Sequence, residues 1–205
     1  MTQMFDFLLL ADKLKCVKRY GSNKKMANAD RDSTADHSWR LALMVFVVAS
    51  EFDLKLDVAK AIKMALIHDI AESISGDVDY RDIVSKKITP KQKKSKEDRA
   101  MKIIFQSMPS KLRKNINALY KEYELKGSEE AKFVKALDRI ETTSHLLNAG
   151  EKSYDLPDII ATYPNPSAKE FPKLESFVEE LKDRLKDEFK KRNIPWKNEY
   201  EITKS

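Results

Sequence analysis

Apolar residues recur every three or four positions along most of this chain, which is the spacing of amphipathic helices. Predicted helices span about residues 4–19, 34–51, 58–75, 90–108, 110–126, 129–149 and 168–192. No alternating run is long enough to predict a strand, although the partly β-branched stretch 43–48 leaves a strand there as an alternative. The pattern predicts an all-α helical bundle.

Polar cap residues mark several helix starts: Ser33 or Thr34, Asp57, Thr89 before Pro90, Ser110 and Ser128. Gly127 can take the left-handed conformation that ends the helix before it. The proline-bearing stretch 157–166 is predicted to be a loop, and the chain after Pro195 to be irregular. We therefore expect a single helical domain over residues 1–192 and a C-terminal tail over residues 193–205.

Composition agrees with a helical protein, since 35% of the 205 residues are charged and only 4 are glycine. The longest apolar run, residues 41–49, is about half of what a membrane span needs and predicts a fully buried core helix. The apolar stretch 7–11 lies between Asp6 and Asp12, which argues against a signal peptide. The single Cys16 excludes an internal disulfide, and we expect it to pack in a cytoplasmic protein without membrane partners.

The net charge of +6 suits an anionic substrate or a nucleic acid. The densest basic stretch, residues 86–102, holds eight Lys or Arg residues against two acids and is predicted to be a solvated helix face. No aromatic residues alternate with these lysines, as they would in a groove for single-stranded nucleic acid. The stretch therefore disfavours a nucleic-acid partner.

The predicted helix 58–75 carries three ionisable side chains on an otherwise apolar background. His68, Asp69 and Glu72 fall within five residues, next to Ile67 and Ile70. Ionisable groups on a buried face are costly unless something binds them. A neutral imidazole beside a carboxylate suits a metal ion. The stretch therefore predicts a metal-dependent hydrolase.

Partners for such an ion lie on other predicted helices. His37 follows an aspartate near the start of helix 34–51, and Asp138 interrupts the apolar stretch 133–137. Separate helices of a bundle can bring such side chains to one point in its core. We expect these residues to meet His68 and Asp69.

The order of His37, His68-Asp69 and Asp138 resembles the H…HD…D ligand set of the HD-domain phosphohydrolases. Four surrounding segments resemble the 5′-deoxynucleotidase branch of that family: Lys18-Arg19-Tyr20, residues 34–40, residues 68–77 and residues 134–139. The resemblance covers roughly residues 1–185, with the segments in the right order. It implies a helical protein that binds one divalent metal and commonly forms a homodimer.

By this resemblance, one divalent ion is held by His37, His68, Asp69 and Asp138. Two imidazoles and two carboxylates suit Mn, Co, Fe, Ni, Zn or Mg with open water positions, and the ligand set does not choose among these metals. The ion would polarise a phosphoryl oxygen and lower the pKa of a bound water.

The same resemblance assigns four further residues. Glu72, one turn after His68, is expected to handle a proton, with a role as a surface acid or hydrogen-bond acceptor as the alternative. Asp77 would line the substrate site near the attacking water or the sugar. Arg19 would bind phosphate through paired hydrogen bonds. Tyr20 stands where some relatives have tryptophan, and it would contact the substrate beside Arg19.

Other polar residues near the motifs have more ordinary interpretations. His145 lies two turns after Asp138, about 10 Å along the helix, and is predicted to be a packed or surface histidine. A contact with a base or a dimer partner is its alternative. Glu141 is a candidate for supporting the ligands. Trp39 and Arg40 are expected to pack and pair.

Together these residues predict a phosphohydrolase acting on nucleoside 5′-monophosphates, with a deoxyribonucleotide as the expected substrate. One alternative is an HD-type hydrolase of another phosphate ester, such as a nucleoside triphosphate, cyclic nucleotide or alarmone. A second is a non-enzymatic nucleic-acid-binding module that uses residues 86–102. A third is a helical scaffold with a purely structural ion.

Overall fold

The computed structural model describes residues 2–202, and within that range the regular structure is helical apart from one isolated bridge between Lys18 and Ser33. The helices are α1 (Thr2–Asp12), α2 (Thr34–Glu51), α3 (Val58–Ile67), α4 (Glu72–Ser75), α5 (Tyr80–Val84), α6 (Pro90–Gln106), α7 (Ser110–Glu124), α8 (Glu129–Ala149), α9 (Pro157–Thr162), α10 (Asn165–Glu170) and α11 (Glu175–Lys191). The all-α prediction is confirmed. Residues 43–48 lie inside α2, so the alternative of a strand there is wrong.

The main core lies where α2, α3 and α8 pack against one another. Leu41 and Val45 of α2, Met64 of α3 and Leu137 of α8 are all fully buried in it. Burying each such side chain contributes roughly 1.5–3 kcal/mol. This packing holds α2, α3 and α8 in fixed relative positions, and these helices carry the predicted ligands.

A capping box fixes the start of α2 at the predicted residue. The Ser33 hydroxyl accepts from the Asp36 backbone N–H at 3.1 Å, and the Asp36 carboxylate accepts from the Ser33 backbone N–H at 2.9 Å. Such a box satisfies two otherwise free N–H groups of the first turn. It places His37 on the inner face of that turn, where the side chain is buried.

The predicted helix 58–75 is wrong in one respect, because it is broken in the middle. Helix α3 ends at Ile67, and α4 begins only at Glu72. The intervening turn is held by tight bonds from the Ile70 N–H to the Ile67 carbonyl (3.1 Å) and from the Glu72 N–H to the Asp69 carbonyl (2.9 Å). The break gives His68 and Asp69 directions that a straight helix would not.

Other predictions of regular structure are also wrong. The predicted helix 4–19 ends at Asp12, and the predicted helix 168–192 is divided between α10 and α11. The stretch 157–166 is not a loop, because α9 and α10 occupy it with prolines in their first turns, where the missing N–H costs nothing. The left-handed residue after α7 is Lys126, at φ 50°, rather than Gly127.

Two predictions of burial are wrong as well. The run 41–49 is not fully buried, because Leu43, Phe46 and Val47 on one face of α2 are 45–55% exposed. Cys16 is exposed rather than packed. None of the described helices has the length and apolar character to cross a membrane.

The C-terminal tail is anchored to the helical body. Tyr200, in a short 3-10 turn, is buried against Phe189 of α11. The buried Lys182 ammonium donates to the Tyr200 carbonyl and, at 3.0 Å, to the Ala161 carbonyl at the end of α9. The tail therefore helps to hold α9 in place.

Candidate functional site

The four predicted metal ligands converge between α2, α8 and the turn after α3. The Nε2 atoms of His37 and His68 are 3.3 Å apart. Asp138 Oδ1 lies 3.1 Å from His37 Nε2, and Asp69 Oδ2 lies 3.0 Å from His68 Nε2. Donor atoms of His37, His68 and Asp69 all lie within 4.8 Å of one another. The structure thus brings together residues that are up to 101 positions apart (138 − 37) in the sequence.

Both imidazoles present Nε2 to the centre of the cluster because Nδ1 is engaged elsewhere. His37 Nδ1 lies 2.5 Å from Glu141 Oε2, and His68 Nδ1 lies 2.8 Å from the Ala65 carbonyl, which can only accept. In the neutral rings the protons are therefore on Nδ1, and two Nε2 lone pairs face each other. This is the arrangement that a metal-binding histidine pair needs, and Glu141 occupies the supporting position expected of it.

The two carboxylates of the cluster favour a positive charge at its centre. Burial disfavours the charged form of His68, but the carboxylates of Asp69 and Asp138 outweigh this effect and raise the pKa of His68 to about 9. Burial opposes the charge on the two carboxylates, but the two imidazoles outweigh it and hold the pKa of each below its usual range. A divalent cation could supply the charge that the protonated imidazole otherwise supplies.

Asp32, His37 and Glu141 form a second group with metal-like spacing. A protein side chain, the Arg19 guanidinium, supplies the positive charge there. Arg19 Nη1 lies 3.0 Å from Asp32 Oδ2 and 3.4 Å from Glu141 Oε2. The guanidinium therefore neutralises the negative charge of these carboxylates. The cluster of His37, His68, Asp69 and Asp138 is the candidate metal centre.

Arg19 itself is almost fully buried in the wall of the cavity beside the cluster. Besides its two carboxylates, it donates to Thr142 Oγ1 at 2.8 Å. Its position agrees with a role in phosphate binding, but much of its hydrogen-bonding capacity is used inside the protein.

The cavity beside the cluster is lined by both charged and apolar side chains, and its volume is about 880 Å³ with its open mouth included. Its charged lining residues include Arg19, Asp69, Glu72, Asp77, Lys93 and Asp138. Its apolar lining residues include Ile83, Leu146, Leu156, Ile159 and Ile160. Such a mixed lining suits a molecule that has both an anionic group and a flat heterocycle.

Tyr20 lies in the cavity wall in a strained conformation. Its φ of 61° is left-handed, which costs a residue with a side chain on the order of 1–3 kcal/mol. Its ring stacks on His145 with the centroids 5.3 Å apart, and the Arg19 guanidinium lies 5.1 Å from the ring centre. The half-buried His145 is therefore a packed histidine, in agreement with the prediction from the sequence.

Glu72 is buried, and it is protonated more readily than an ordinary glutamate. The Thr34 hydroxyl donates to Glu72 Oε2 at 2.8 Å. Burial, reinforced by the negative charges of Asp69 and Asp77, raises the pKa of Glu72 well above its usual value. Burial also raises the pKa of Asp77 to about 6, with Arg19 opposing and Asp69 reinforcing the change. A protonated carboxyl at this position is suited to donate a proton.

The structure places two residues at the site, Thr34 and Lys93, that are not among the predicted site residues. Thr34 was predicted only as a helix cap, yet it holds Glu72. Lys93 belongs to a stretch predicted to be a solvated face, yet it lines the cavity. Helical spacing could have indicated that Lys93 faces the protein interior. Residues 93, 97, 100 and 104 share one face of α6, and Ala100 and Ile104 are buried.

This combination of an all-helical bundle and a two-histidine, two-aspartate cluster is typical of one family. The model of the HD domain matches residues 11–174, so the chain belongs to the HD domain family, and the resemblance of its motifs is confirmed. The crystal structure of a protein described as a predicted metal-dependent phosphohydrolase from Magnetospirillum magnetotacticum has the same fold, with a TM-score of 0.72 at 24% identity over 91% of this chain and 92% of that one.

Curated relatives share much of the sequence. The mouse protein named 5′-deoxynucleotidase HDDC2 is 40% identical over 136 residues, which are 66% of this chain and 64% of the mouse protein. The protein of the same name from Xenopus laevis is 33% identical over 168 residues, 82% of this chain and 79% of that protein. The chain thus spans 64% of the length of the mouse relative that it matches.

Proposed function

We propose that this protein is a metal-dependent 5′-deoxynucleotidase, which hydrolyses deoxyribonucleoside 5′-monophosphates to nucleoside and phosphate. The observation that carries the proposal is the cluster of two imidazole Nε2 atoms and two carboxylates beside a cavity with both charged and apolar lining residues. The names of the curated relatives support the same activity.

In this proposal His37, His68, Asp69 and Asp138 hold one divalent ion. When bound, such an ion polarises a phosphoryl oxygen and lowers the pKa of a coordinated water. The donor set suits Mn, Co, Fe, Ni, Zn or Mg. Glu141 and the Ala65 carbonyl keep the two imidazoles oriented for this role.

Glu72 acts in the proposal as the general acid. Water adds to phosphorus, the bond between phosphorus and the 5′-oxygen breaks, and the Glu72 proton passes to that oxygen. The raised pKa of Glu72, caused chiefly by burial, favours the protonated carboxyl that this role needs. The hydroxyl of Thr34 fixes the direction of the carboxyl group.

Arg19, Tyr20 and Asp77 bind the substrate in this scheme. Arg19 lines the cavity beside the cluster, where its charge favours a phosphate group. Tyr20 and Asp77 line the same cavity and would contact the sugar or orient the attacking water. The apolar wall formed with Ile159 and Ile160 of α9 would receive the base.

A panel of phosphate esters tests the substrate class. The protein, supplied in turn with each candidate metal, is assayed for phosphate release from deoxy- and ribonucleoside monophosphates, nucleoside triphosphates and cyclic nucleotides. We expect release chiefly from the deoxyribonucleoside monophosphates. Strong hydrolysis of a triphosphate with none of the monophosphates would overturn the proposal.

We also infer that the protein forms a homodimer through an apolar stripe on α2. Trp39, Leu43, Phe46 and Val47 follow one another at helical spacing and are 45–64% exposed. Contiguous exposed apolar residues on one helix are typical of a protein interface. Family resemblance supports a second copy of the chain as the partner.

Introducing glutamate at both Leu43 and Phe46 should convert this dimer to a monomer, because two desolvated charges would face the partner's apolar surface. Light scattering after size exclusion should report about twice 23.7 kDa for the wild type and 23.7 kDa for the double variant. Leu125→Glu is the matched control, since Leu125 is 80% exposed at the end of α7. A wild type that is monomeric at every concentration would refute the inference.

A further inference from the structure

Three cationic side chains line the cavity, and they differ in how firmly other groups hold them. Arg19 donates to Asp32 and Thr142, and Arg81 donates to Asp155 at 2.6 and 3.0 Å. All of these partners lie on other segments of the chain. The two guanidiniums are therefore fixed parts of the cavity wall.

Lys93 is held much less firmly than either arginine. Among residues 2–202 its ion pair is with Glu97, one turn along the same helix, at 3.1 Å, and the Lys93 side chain is 33% exposed. A pair of this type between partly exposed residues four positions apart on one helix is weak. The Lys93 ammonium can therefore leave Glu97 at little cost when a stronger anion arrives.

The surroundings of Lys93 place it at the reacting end of the cavity. It lines the cavity together with Asp69, Glu72 and Asp138, and it also lines a smaller polar cavity on the other side of these acids. Burial opposes the charge on its ammonium, but the carboxylates of Asp69, Glu97 and Glu72 outweigh burial and raise its pKa. Lys93 is thus a charged ammonium beside the candidate metal centre.

We propose that Lys93 is a phosphate-binding residue of this site, and that its ammonium exchanges Glu97 for an oxygen of the bound phosphate. Lysine binds phosphate as a mobile point charge, which complements a guanidinium that is already fixed. The nucleotide identity of the ligand rests on the proposed function, but the exchange of Glu97 for a phosphate oxygen does not.

The proposal assigns Glu97 an opposing role. In the free protein the Glu97 carboxylate attracts the Lys93 ammonium, and its negative charge opposes the approach of phosphate to that ammonium. Removing the charge of Glu97 should therefore strengthen phosphate binding, while removing the charge of Lys93 should weaken it. A residue with a merely structural role would not give effects of opposite sign.

Binding of inorganic phosphate to the metal-loaded protein is the test, measured by calorimetry together with the KM for a deoxyribonucleoside monophosphate. We expect Lys93→Gln to raise both the Kd for phosphate and the KM by about tenfold to hundredfold, the usual effect of losing a hydrogen bond between charged groups. Lys93→Arg should restore most of the affinity. Glu97→Gln should lower the Kd for phosphate severalfold.

Lys94→Gln is the matched control, because Lys94 is the next residue of α6 but pairs with Asp98 and Glu124 and does not line the cavity. It should leave the Kd and the KM unchanged, and bound metal should be the same in all four variants. Phosphate binding by Lys93→Gln equal to that of the wild type would overturn the proposal. Unchanged binding by Glu97→Gln would overturn the exchange of partners, and this variant tests it without altering Lys93.

The two proposals can fail separately. If the wild type hydrolyses no nucleoside monophosphate, the proposed function fails, while the calorimetric comparison still decides whether Lys93 binds phosphate. If the wild type hydrolyses monophosphates and Lys93→Gln has an unchanged KM and Kd, only the role of Lys93 is overturned.

Discussion

Replacing Asp69 with alanine is expected to abolish phosphate release and to lower the affinity for metal by at least about a hundredfold. Asp69 Oδ2 lies 3.0 Å from His68 Nε2 and 3.8 Å from His37 Nε2, so it belongs to the centre of the donor cluster. Its removal leaves two imidazoles with a single carboxylate, Asp138. The ion would lose both a ligand and part of the negative charge that attracts it.

Metal per chain, measured by mass spectrometry after gel filtration, and phosphate release from a deoxyribonucleoside monophosphate together check this prediction. Asp98→Ala is the matched control, because Asp98 is an aspartate of similar size on the exposed side of α6, with a side chain that is 54% exposed. It should keep both metal and activity. An Asp69→Ala protein that retains a full complement of metal would show that Asp69 is not a ligand.

Replacing Glu72 with glutamine is expected to lower kcat by about a hundredfold to ten-thousandfold while bound metal stays at the wild-type level. Glutamine keeps the shape of the side chain and can still pair with Thr34, but it has no carboxyl proton to transfer. Glu72→Gln should therefore lose activity and keep its metal, whereas Asp69→Ala should lose both.

The kcat of Glu72→Gln and its metal content are measured under the same conditions, with Glu51→Gln as a control at an exposed position on α2. Full activity in Glu72→Gln would show that another group handles the proton. Loss of metal in the same variant would instead place Glu72 among the ligands.

Much of the fold was predictable because local signals define its helices. Ser33, Thr89 and Ser128 each cap a helix where the sequence predicts one, and each accepts a hydrogen bond from the backbone of the first turn. The break after Ile67 was not predictable, since the residues that follow have no glycine or proline to signal it. There the tertiary structure, rather than local propensity, decides the backbone.

The errors at residues 157–166 arose from the interpretation of proline. Proline is common in loops, but Pro157 and Pro166 lie in the first turns of α9 and α10, where proline is favourable. The two short helices built there form part of the apolar wall of the cavity, through Ile159 and Ile160. The sequence therefore predicted several charged residues of the cavity wall and missed the apolar residues that α9 contributes.

The order of the histidines and aspartates predicted the candidate metal centre, but no pattern in the sequence indicated which side chains Arg19 contacts. Arg19 pairs with Glu141 and Thr142, which lie 122 and 123 positions away. Such contacts depend on how the helices pack, and spacing along the chain does not contain that information. The position of Lys93 in the cavity wall was not predicted for a different reason. It lies in a run of lysines that are mostly solvated.

Metal-linked phosphate release by the wild-type protein tests the central claim most directly. The protein is stripped with a chelator, assayed on a deoxyribonucleoside monophosphate, and assayed again after titration with a divalent metal. We expect no release from the stripped protein and full recovery at one ion per chain. Equal release with and without metal, or no release from the fully loaded protein, would contradict it.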